Sequence, residues 1–427
     1  MSANSIRVYV RLGILLFTLL LRIEPLLADV VSDWNEKAIA TMAAERMPNP
    51  IGTARILSMV HTAMFNAART AAARPTVLLV KQSDGTSTTL IDVAVHAAGA
   101  LVLSGLYPKQ KAALDAVFKS ATASLPDSSE KSAAIKTGEE AADAMLASRK
   151  NDGFESPDTY RPITSPGVYV PTSLPIMSYV AGVKPFALKT VSQFRPDPPP
   201  ALNSSLWARD YNEVKELGGI NSTQRTADQT EAGRFWVLSG TLASNQVARE
   251  LLATKPLSIV ESARLFANLN VAMTDAFVAI FDAKYQYGFW RPITAIRNGD
   301  RDENPATDRD PGWKPLIDTP MHPEYPCAHC VCDGAAGVIL ESVFGTGTLP
   351  SFSLTFAGMP GVVRQYTSLH QLDEEVSMAR IWGGVHYRTS TEVGRAMGKK
   401  VGEYVLRNYL PVVSPVLSNR LVVCCAK

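Results

Sequence analysis

The sequence predicts an all-α fold built as helical bundles. Sustained period-two alternation of apolar and polar residues, the mark of a half-buried strand, is nearly absent. Ala-rich amphipathic segments follow one another from Asp33 to about Lys150. One long segment, Leu257 to Tyr285, runs without Gly or Pro and places Leu269, Met273, Phe277 and Ile280 at steps of three and four, one face of a helix.

Taken in order, helices are expected at Asp33 to Ala44, Ile51 to Ala73, Leu90 to Leu106, Pro108 to Ser124 and Ser129 to Arg149. The breaks between them fall at turn chemistry: Pro48-Asn49-Pro50, Asp84-Gly85 and Pro126-Asp127. His61 and His96 lie in this helical text with no ligand-type partner in their helices, so both are expected to pack as helix histidines. Between Asn151 and Asn203 prolines crowd at Pro157, Pro162, Pro166, Pro171, Pro175 and Pro198-Pro199-Pro200, which excludes helix and predicts a long ordered loop region. Helices resume at Leu206 to Glu216, Thr223 to Leu238 and Ala243 to Leu252, followed by the long segment and a loop from Arg297 to Tyr325. The remaining helices are His329 to Phe344, stopped by Gly345, then Gly361 to Trp382, then Ser390 to Tyr409 before Pro411.

The chain has 427 residues, 46% apolar and 19% charged, so it can bury a substantial core. A net charge of +2 gives no electrostatic footprint for nucleic acid. At the N-terminus Arg7 and Arg11 precede the apolar run Leu12 to Leu21, and small Ala28 precedes Asp29. That order is a secretory signal peptide, and no further segment reads as membrane-spanning in the mature chain. Five cysteines, Cys327, Cys330, Cys332, Cys424 and Cys425, leave at least one sulfur unpaired within the chain.

Three blocks carry chemistry. In the first, Lys284 continues the apolar stripe of the long helix, and Arg291 follows seven residues later, two turns on along the same face if the helix persists. A lysine in line with a core stripe either snorkels out or meets an anion. In the second block, Pro323-Glu-Tyr-Pro326-Cys-Ala-His329-Cys, a helix begins just after Pro326, and the free amides at Ala328 and His329 make an anion site by themselves. In the third, Ala379-Arg380-Ile-Trp-Gly-Gly-Val-His386, the glycine pair ends one helix, and Thr389 to Glu392 has the form of a capping box for the next. Three cations, two histidines and two helix N-termini call for a compensating anion. Arg holds oxoanion oxygens bidentately and Lys adds a point charge. A neutral imidazole can attack phosphorus or ligate a transition metal, and a second can move a proton.

This pattern resembles Lys-x6-Arg-Pro, Pro-Ser-Gly-His and Ser-Arg-x5-His-x3-Asp, the signature of the superfamily that joins type 2 phosphatidic acid phosphatases and bacterial acid phosphatases to vanadium-dependent haloperoxidases. Lys284, Arg291 and Pro292, then Pro326 and His329, then Arg380 and His386 stand at the matching spacing. The wording Phe289-Trp290-Arg291-Pro292-Ile-Thr-Ala-Ile-Arg297 and His322-Pro-Glu-Tyr-Pro326 resembles the haloperoxidase-like branch. The resemblance implies two packed helical bundles with the oxoanion site in the second. The implied division is a signal peptide over 1–28, a first bundle with the Pro-rich region over 29–235, and a catalytic bundle over 236–427. It implies vanadate on His386 as axial ligand, its oxygens held by Lys284, Arg291, Arg380 and the backbone of Cys327 and Ala328, with His329 as acid–base. The small-molecule partners are then hydrogen peroxide and halide. In an acid phosphatase the same set would hold phosphate of a phosphate ester, with His386 as nucleophile, and a non-catalytic oxoanion-binding protein is the third reading. Trp290 and His322 are expected as pocket wall. The oligomeric state stays open.

Four positions depart from the pattern: Cys327 and Ala328 replace Ser and Gly, Ala379 replaces Ser, and Ser390 replaces Asp. A thiol at Cys327 would sit beside a peroxide-handling centre, where thiols oxidise. Ser390 removes the carboxylate expected to orient His386, leaving Glu374, Glu375 or a backbone carbonyl for that role. A zinc site from Cys327, His329, Cys330 and Cys332 is disfavoured by their tight spacing.

Overall fold

The computed structural model describes residues 29–74, 79–81 and 87–411; the expected signal peptide, Cys424 and Cys425 lie outside them. Thirteen α-helices make up most of the described residues. The first five are α1 (Val30–Glu45), α2 (Pro50–Ala72), α3 (Leu90–Leu106), α4 (Lys111–Thr122) and α5 (Ser129–Arg149). They start where short polar side chains cap them. Asn49 accepts from Gly52 N–H, Thr89 and Asp92 close a capping box, and Ser128 accepts from Lys131 N–H. A β-ribbon, β1 (Leu79–Lys81) against β2 (Ser87–Thr89), precedes α3. His61 and His96 are packed histidines as expected. His61 Nε2 accepts from Asn35, and His96 Nδ1 accepts from Trp34 Nε1 at 2.8 Å.

The second half contains α6 (Ser205–Gly218), α7 (Ala227–Phe235), α8 (Gly240–Thr254), α9 (Ile259–Tyr287), α10 (Pro292–Arg297), α11 (Ala328–Phe344), α12 (Leu369–Trp382) and α13 (Arg388–Asn408). Two features differ from expectation. Val363–Tyr366 is not the start of a helix but strand β4, paired antiparallel with β3 (Phe352–Thr355), and α12 begins only at Leu369. Val363 and Tyr366 favour the ribbon, and Ser368 caps the later start by accepting from His370 N–H. The expected capping box at Thr389 to Glu392 does not form either. The Thr389 amide instead donates to Asp210 of α6 at 2.9 Å, a tertiary cap.

Helix α9 is the axis of the molecule. It packs against α2 on one side and α11 on the other, so one continuous apolar core runs through both halves. Its side chains are buried all round from Leu265 through Lys284, which is why the apolar stripe seen in the sequence is only part of its contact surface. By length and composition α9 could cross a bilayer, with a mean hydropathy of 1.3, but that stretch is wholly buried in protein.

The Pro-rich region is an ordered strap along α9. Asp275 of α9 accepts from the amides of Phe186, Ala187 and Leu188 at 2.7–2.8 Å, and Asp282 takes Arg195 bidentately at 2.7 and 2.8 Å. On the other side α11 lies directly on α13, because Gly394, Gly398 and Gly402 repeat every four residues along one face. A Cβ at Gly398 would stand 2.2 Å from the Val331 carbonyl oxygen. This close approach sets the tip of α11 against the start of α13.

Candidate active site

Lys284 lies in the last turn of α9, fully buried, and donates to the carbonyls of Pro323 and Glu324 at 3.0 and 2.8 Å. The helix then ends at Gly288 in the left-handed region (φ 55°), so Arg291 does not continue its face. Arg291 caps α10 instead, and the reversed chain returns its side chain to the same place. Its guanidinium donates to His322 O at 3.0 Å and Val385 O at 2.7 Å, and Nη1 lies 3.2 Å from His386 Nε2. Arg380 comes from the end of α12 and donates to Trp236 O at 2.6 Å, while its buried Nε has no partner among the described residues. The glycine pair bends the chain after α12, with Gly384 at φ 74°, and delivers His386 ahead of α13.

His386 is held by a residue the sequence reading did not single out. Its Nδ1 lies 2.6 Å from Oε1 of Glu324, which also accepts the Tyr387 amide at 3.1 Å. Neither Glu374 nor Glu375 takes this role. His370 and Glu374 pair on the surface, and Glu375 binds Arg364 and Trp236 Nε1. Ser390 Oγ reaches only 3.4 Å from the same nitrogen. Glu324 is the sole carboxylate between Met321 and Cys330, flanked by Pro and aromatic residues. That isolation was the available signal. With Nδ1–H donated to the carboxylate, Nε2 keeps its lone pair and faces the cations.

The tip of α11 corrects two expectations. Cys327 and Cys330 form a disulfide, so Cys327 is not the vulnerable thiol anticipated, and a zinc site with both sulfurs is excluded. The Cys327 amide donates to Ser390 O at 3.1 Å. Cys327 therefore has no donor left for an oxoanion. The next two amides, Ala328 and His329, have no acceptor among the described residues and sit at the positive end of the helix. His329 Nε2 lies 3.2 Å from Leu238 O, which places its proton there and leaves Nδ1 basic. Cys332 is free and buried.

His329, Arg380, His386 and His322 line one cavity of about 240 Å³, together with Ala328 and apolar side chains from α9 and the strap. His322 is pocket wall, as expected. Trp290 is not among its lining residues. It stacks on Trp207 at 5.8 Å inside an aromatic cluster with Tyr211, Phe289 and Tyr387.

The electrostatics describe an unbalanced site. Burial drives Lys284 well below its ordinary value, and Arg291 adds to this. Burial lowers Arg291 to about 10 and, with Arg291 beside it, Arg380 to about 9. Burial also holds His329 and His386 well below 6.5, so both are neutral. Glu324 is pushed up to about 7 by burial, against the pull of Arg291 and Lys284. Asp333, near Arg380, is raised well above 3.8 by burial and by Asp373, against the pull of Arg380. Three buried basic side chains, Lys284, Arg291 and Arg380, outnumber the one carboxylate that contacts His386, Glu324, so the site carries a surplus of basic groups. Together with the unpartnered Arg380 Nε and two free amides, this donor set fits a compact oxoanion of the vanadate or phosphate type.

The family model of the VCPO second helical-bundle domain matches residues 264–414. The vanadium chloroperoxidase of Curvularia inaequalis is 27% identical over 262 residues, 48% of this chain and 42% of that protein, so the match spans under half of the relative's length. A bacterial vanadium-dependent iodoperoxidase structure superposes with a TM-score of 0.70 at 23% identity, covering 88% of this chain and 95% of the other. The holo-type bacterial vanadium-dependent chloroperoxidase superposes at 0.66 with 18% identity, covering 84% and 91%. At such identities the superpositions speak to the fold. The three motif blocks all lie within the matched residues 264–414, so this part of the chain resembles the superfamily that joins type 2 phosphatidic acid phosphatases to vanadium-dependent haloperoxidases, on its haloperoxidase-like branch.

Proposed function

We propose that the protein is a vanadate-dependent peroxidase that oxidises halide with hydrogen peroxide. The observation that carries this reading is His386, neutral, fixed through Nδ1 by Glu324, with Nε2 aimed among three buried cations. Bound vanadate supplies a Lewis-acidic centre at which hydrogen peroxide is activated for two-electron oxidation of halide. His386 Nε2 would be its protein ligand. Lys284, Arg291, Arg380 and the amides of Ala328 and His329 would hold its oxygens and offset its charge. His329, protonated on Nε2 toward Leu238 O, accepts a proton from peroxide at Nδ1 and returns it to the departing oxygen as water forms. Lys284 also fixes the 323–324 backbone and thereby the Glu324 carboxylate.

Export through residues 1–28 belongs to the same proposal, and a disulfide between Cys327 and Cys330 suits an oxidising compartment. Its check is N-terminal sequencing of the mature protein, expected to begin at Asp29.

The deciding assay loads purified protein with vanadate and measures bromide-dependent halogenation with peroxide, beside hydrolysis of a generic phosphomonoester. Halogenation is expected. Hydrolysis alone would establish a phosphatase working through His386, and silence in both assays an oxoanion-binding protein without turnover.

A further inference from the structure

A polar seam leads out of the catalytic end between α11 and α12, which pack against each other. Along α11, Asp333, Gly337 and Glu341 follow His329 at steps of four, so they share its face. Along α12, Asp373, Ser377 and Arg380 fall at steps of four and three, again one face. Asp333, Asp373, Ser377 and Arg380 are all buried. Both carboxylate oxygens of Asp333, Oδ1 of Asp373, Oγ of Ser377 and Nε of Arg380 have no partner among the described residues. Buried polar atoms are seldom left so, and a row of them in one seam calls for ordered water between them. Asp333, 4% exposed, borders both ends of the seam. Its Oδ1 lies against Gly240, a wall residue of the active-site cavity, where a Cβ would stand 3.1 Å from it. It also lines a separate cleft of about 20 Å³ with Gly337, Glu341, Asp373, His370 and Lys399. That volume holds one water. His370 and Lys399 are exposed, so this cleft meets solvent. Burial and Asp373 raise Asp333 well above 3.8, against the pull of Arg380, which favours its acid form. Of the other charged groups here, Arg395 of α13 holds Asp373 at 2.8 Å, and His370 pairs with Glu374 at 3.3 Å. Glu341 and Lys399 stand at the cleft.

We propose that the α11–α12 seam is the proton-supply route of this enzyme, with Asp333 passing protons from the surface cleft, through bound water beside Arg380, to the catalytic end at His329. The demand for protons rests on the peroxidase reading of the site. Halide, hydrogen peroxide and one proton give hypohalous acid and water. The halide gives two electrons to the O–O bond, one oxygen leaves as water, the other as hypohalous acid, and the balance takes one proton from solvent. A carboxylic acid with a second, unpartnered oxygen suits this task. It accepts a proton on one oxygen as it gives one from the other, and each transfer returns it to its starting state. Asp333 acts through water and His329 rather than on the reacting atoms, so its role is one of proton supply.

The test has a spectroscopic arm and a kinetic arm. Infrared difference spectra, wild type minus Asp333→Asn without any oxoanion, are expected to show a protonated-carboxyl C=O band that shifts on transfer to D2O. Gly337→Leu fills the cleft at a position where a Cβ meets nothing within 4 Å, and is expected to keep the band and slow its shift. In the kinetic arm, vanadate-loaded enzyme oxidises bromide across a pH series. Both variants are expected to lose about tenfold in kcat, more as pH rises, with the peroxide KM held within about twofold. Added imidazolium, a diffusible acid, is expected to restore part of the rate of Asp333→Asn, which a merely structural loss would not allow. Absence of the band overturns Asp333 as the proton carrier. A shift as fast in Gly337→Leu as in the wild type overturns the cleft as the entrance. Wild-type kcat and pH profile in both variants overturn the route and send protons through the main cavity. No bromide oxidation by the wild-type protein overturns the peroxidase reading, and the infrared arm still decides whether the seam carries protons.

Discussion

Glu324 Oε1 lies 2.6 Å from His386 Nδ1, across 62 residues of chain. A buried carboxylate at that nitrogen fixes the tautomer and the ring plane, and removing such a partner typically costs about 10- to 100-fold in metal affinity or activity. Glu324→Ala is expected to lose vanadate affinity within that range, and Glu324→Gln, which still accepts from Nδ1–H and from the Tyr387 amide, to lose less. Ser390 Oγ stands 3.4 Å from the same nitrogen, so Ser390→Asp added to Glu324→Ala should recover part of the loss. Vanadate titrations of the three variants check this. Wild-type affinity in Glu324→Ala would remove Glu324 from the site.

An anion that meets the surplus of basic groups should stabilise the fold. Binding at 100 times Kd adds about 2.7 kcal/mol. Vanadate or phosphate is therefore expected to raise the melting temperature of the wild-type protein. Arg380→Met, which removes a guanidinium whose buried Nε is unpartnered, should lose most of that rise. Differential scanning calorimetry with and without the anion reads the difference. An equal rise in both proteins would place the anion elsewhere.

His61 offers a pH signature remote from the site. Burial, with Arg249 nearby, lowers it from 6.5 to about 3. The unfolded chain therefore takes up this proton first as pH falls. The contribution to stability is complete above about 6.5 and is lost as pH drops toward 3. Urea unfolding should show that decline, and His61→Gln should flatten it. An unchanged slope in the variant would mean that other groups set the acid sensitivity.

Gly398 should tolerate no side chain. A Cβ there would meet Val331 O at 2.2 Å and Ala335 N at 3.0 Å, backbone atoms that cannot turn aside. Gly398→Ala is expected to destabilise the protein by about 1–3 kcal/mol, as overpacking does. It should also weaken anion binding by shifting the tip of α11. Denaturation midpoints and an anion titration measure both, and a neutral midpoint would show that α11 and α13 separate more easily than their spacing implies.

The helices were legible because local rules govern them. Periodicity, Pro and Gly breaks and polar caps located α3 and α5 at both ends and most others within a few residues. The ribbon at β3 and β4 escaped because four-residue strands carry too little pattern to separate from a helix start. The cations and histidines of the site were legible from residue type and spacing in three blocks. The route by which Arg291 arrives was not, because the left-handed turn at Gly288 ends α9 before it.

By itself the sequence determined the helical class, the two cationic blocks and the histidine pair, since residue type and near-neighbour spacing decide these. Contacts between distant segments decided the rest. Glu324 rather than residue 390 orients His386, because the 322–326 loop is tied to Lys284 and Arg291. Cys327 is withdrawn from oxoanion binding, because its sulfur meets Cys330 and its amide meets Ser390. The cavity exists only because the strap is held over α9. Each of these turns on which chain segments a shared core brings within hydrogen-bond reach, and local spacing carries no record of that.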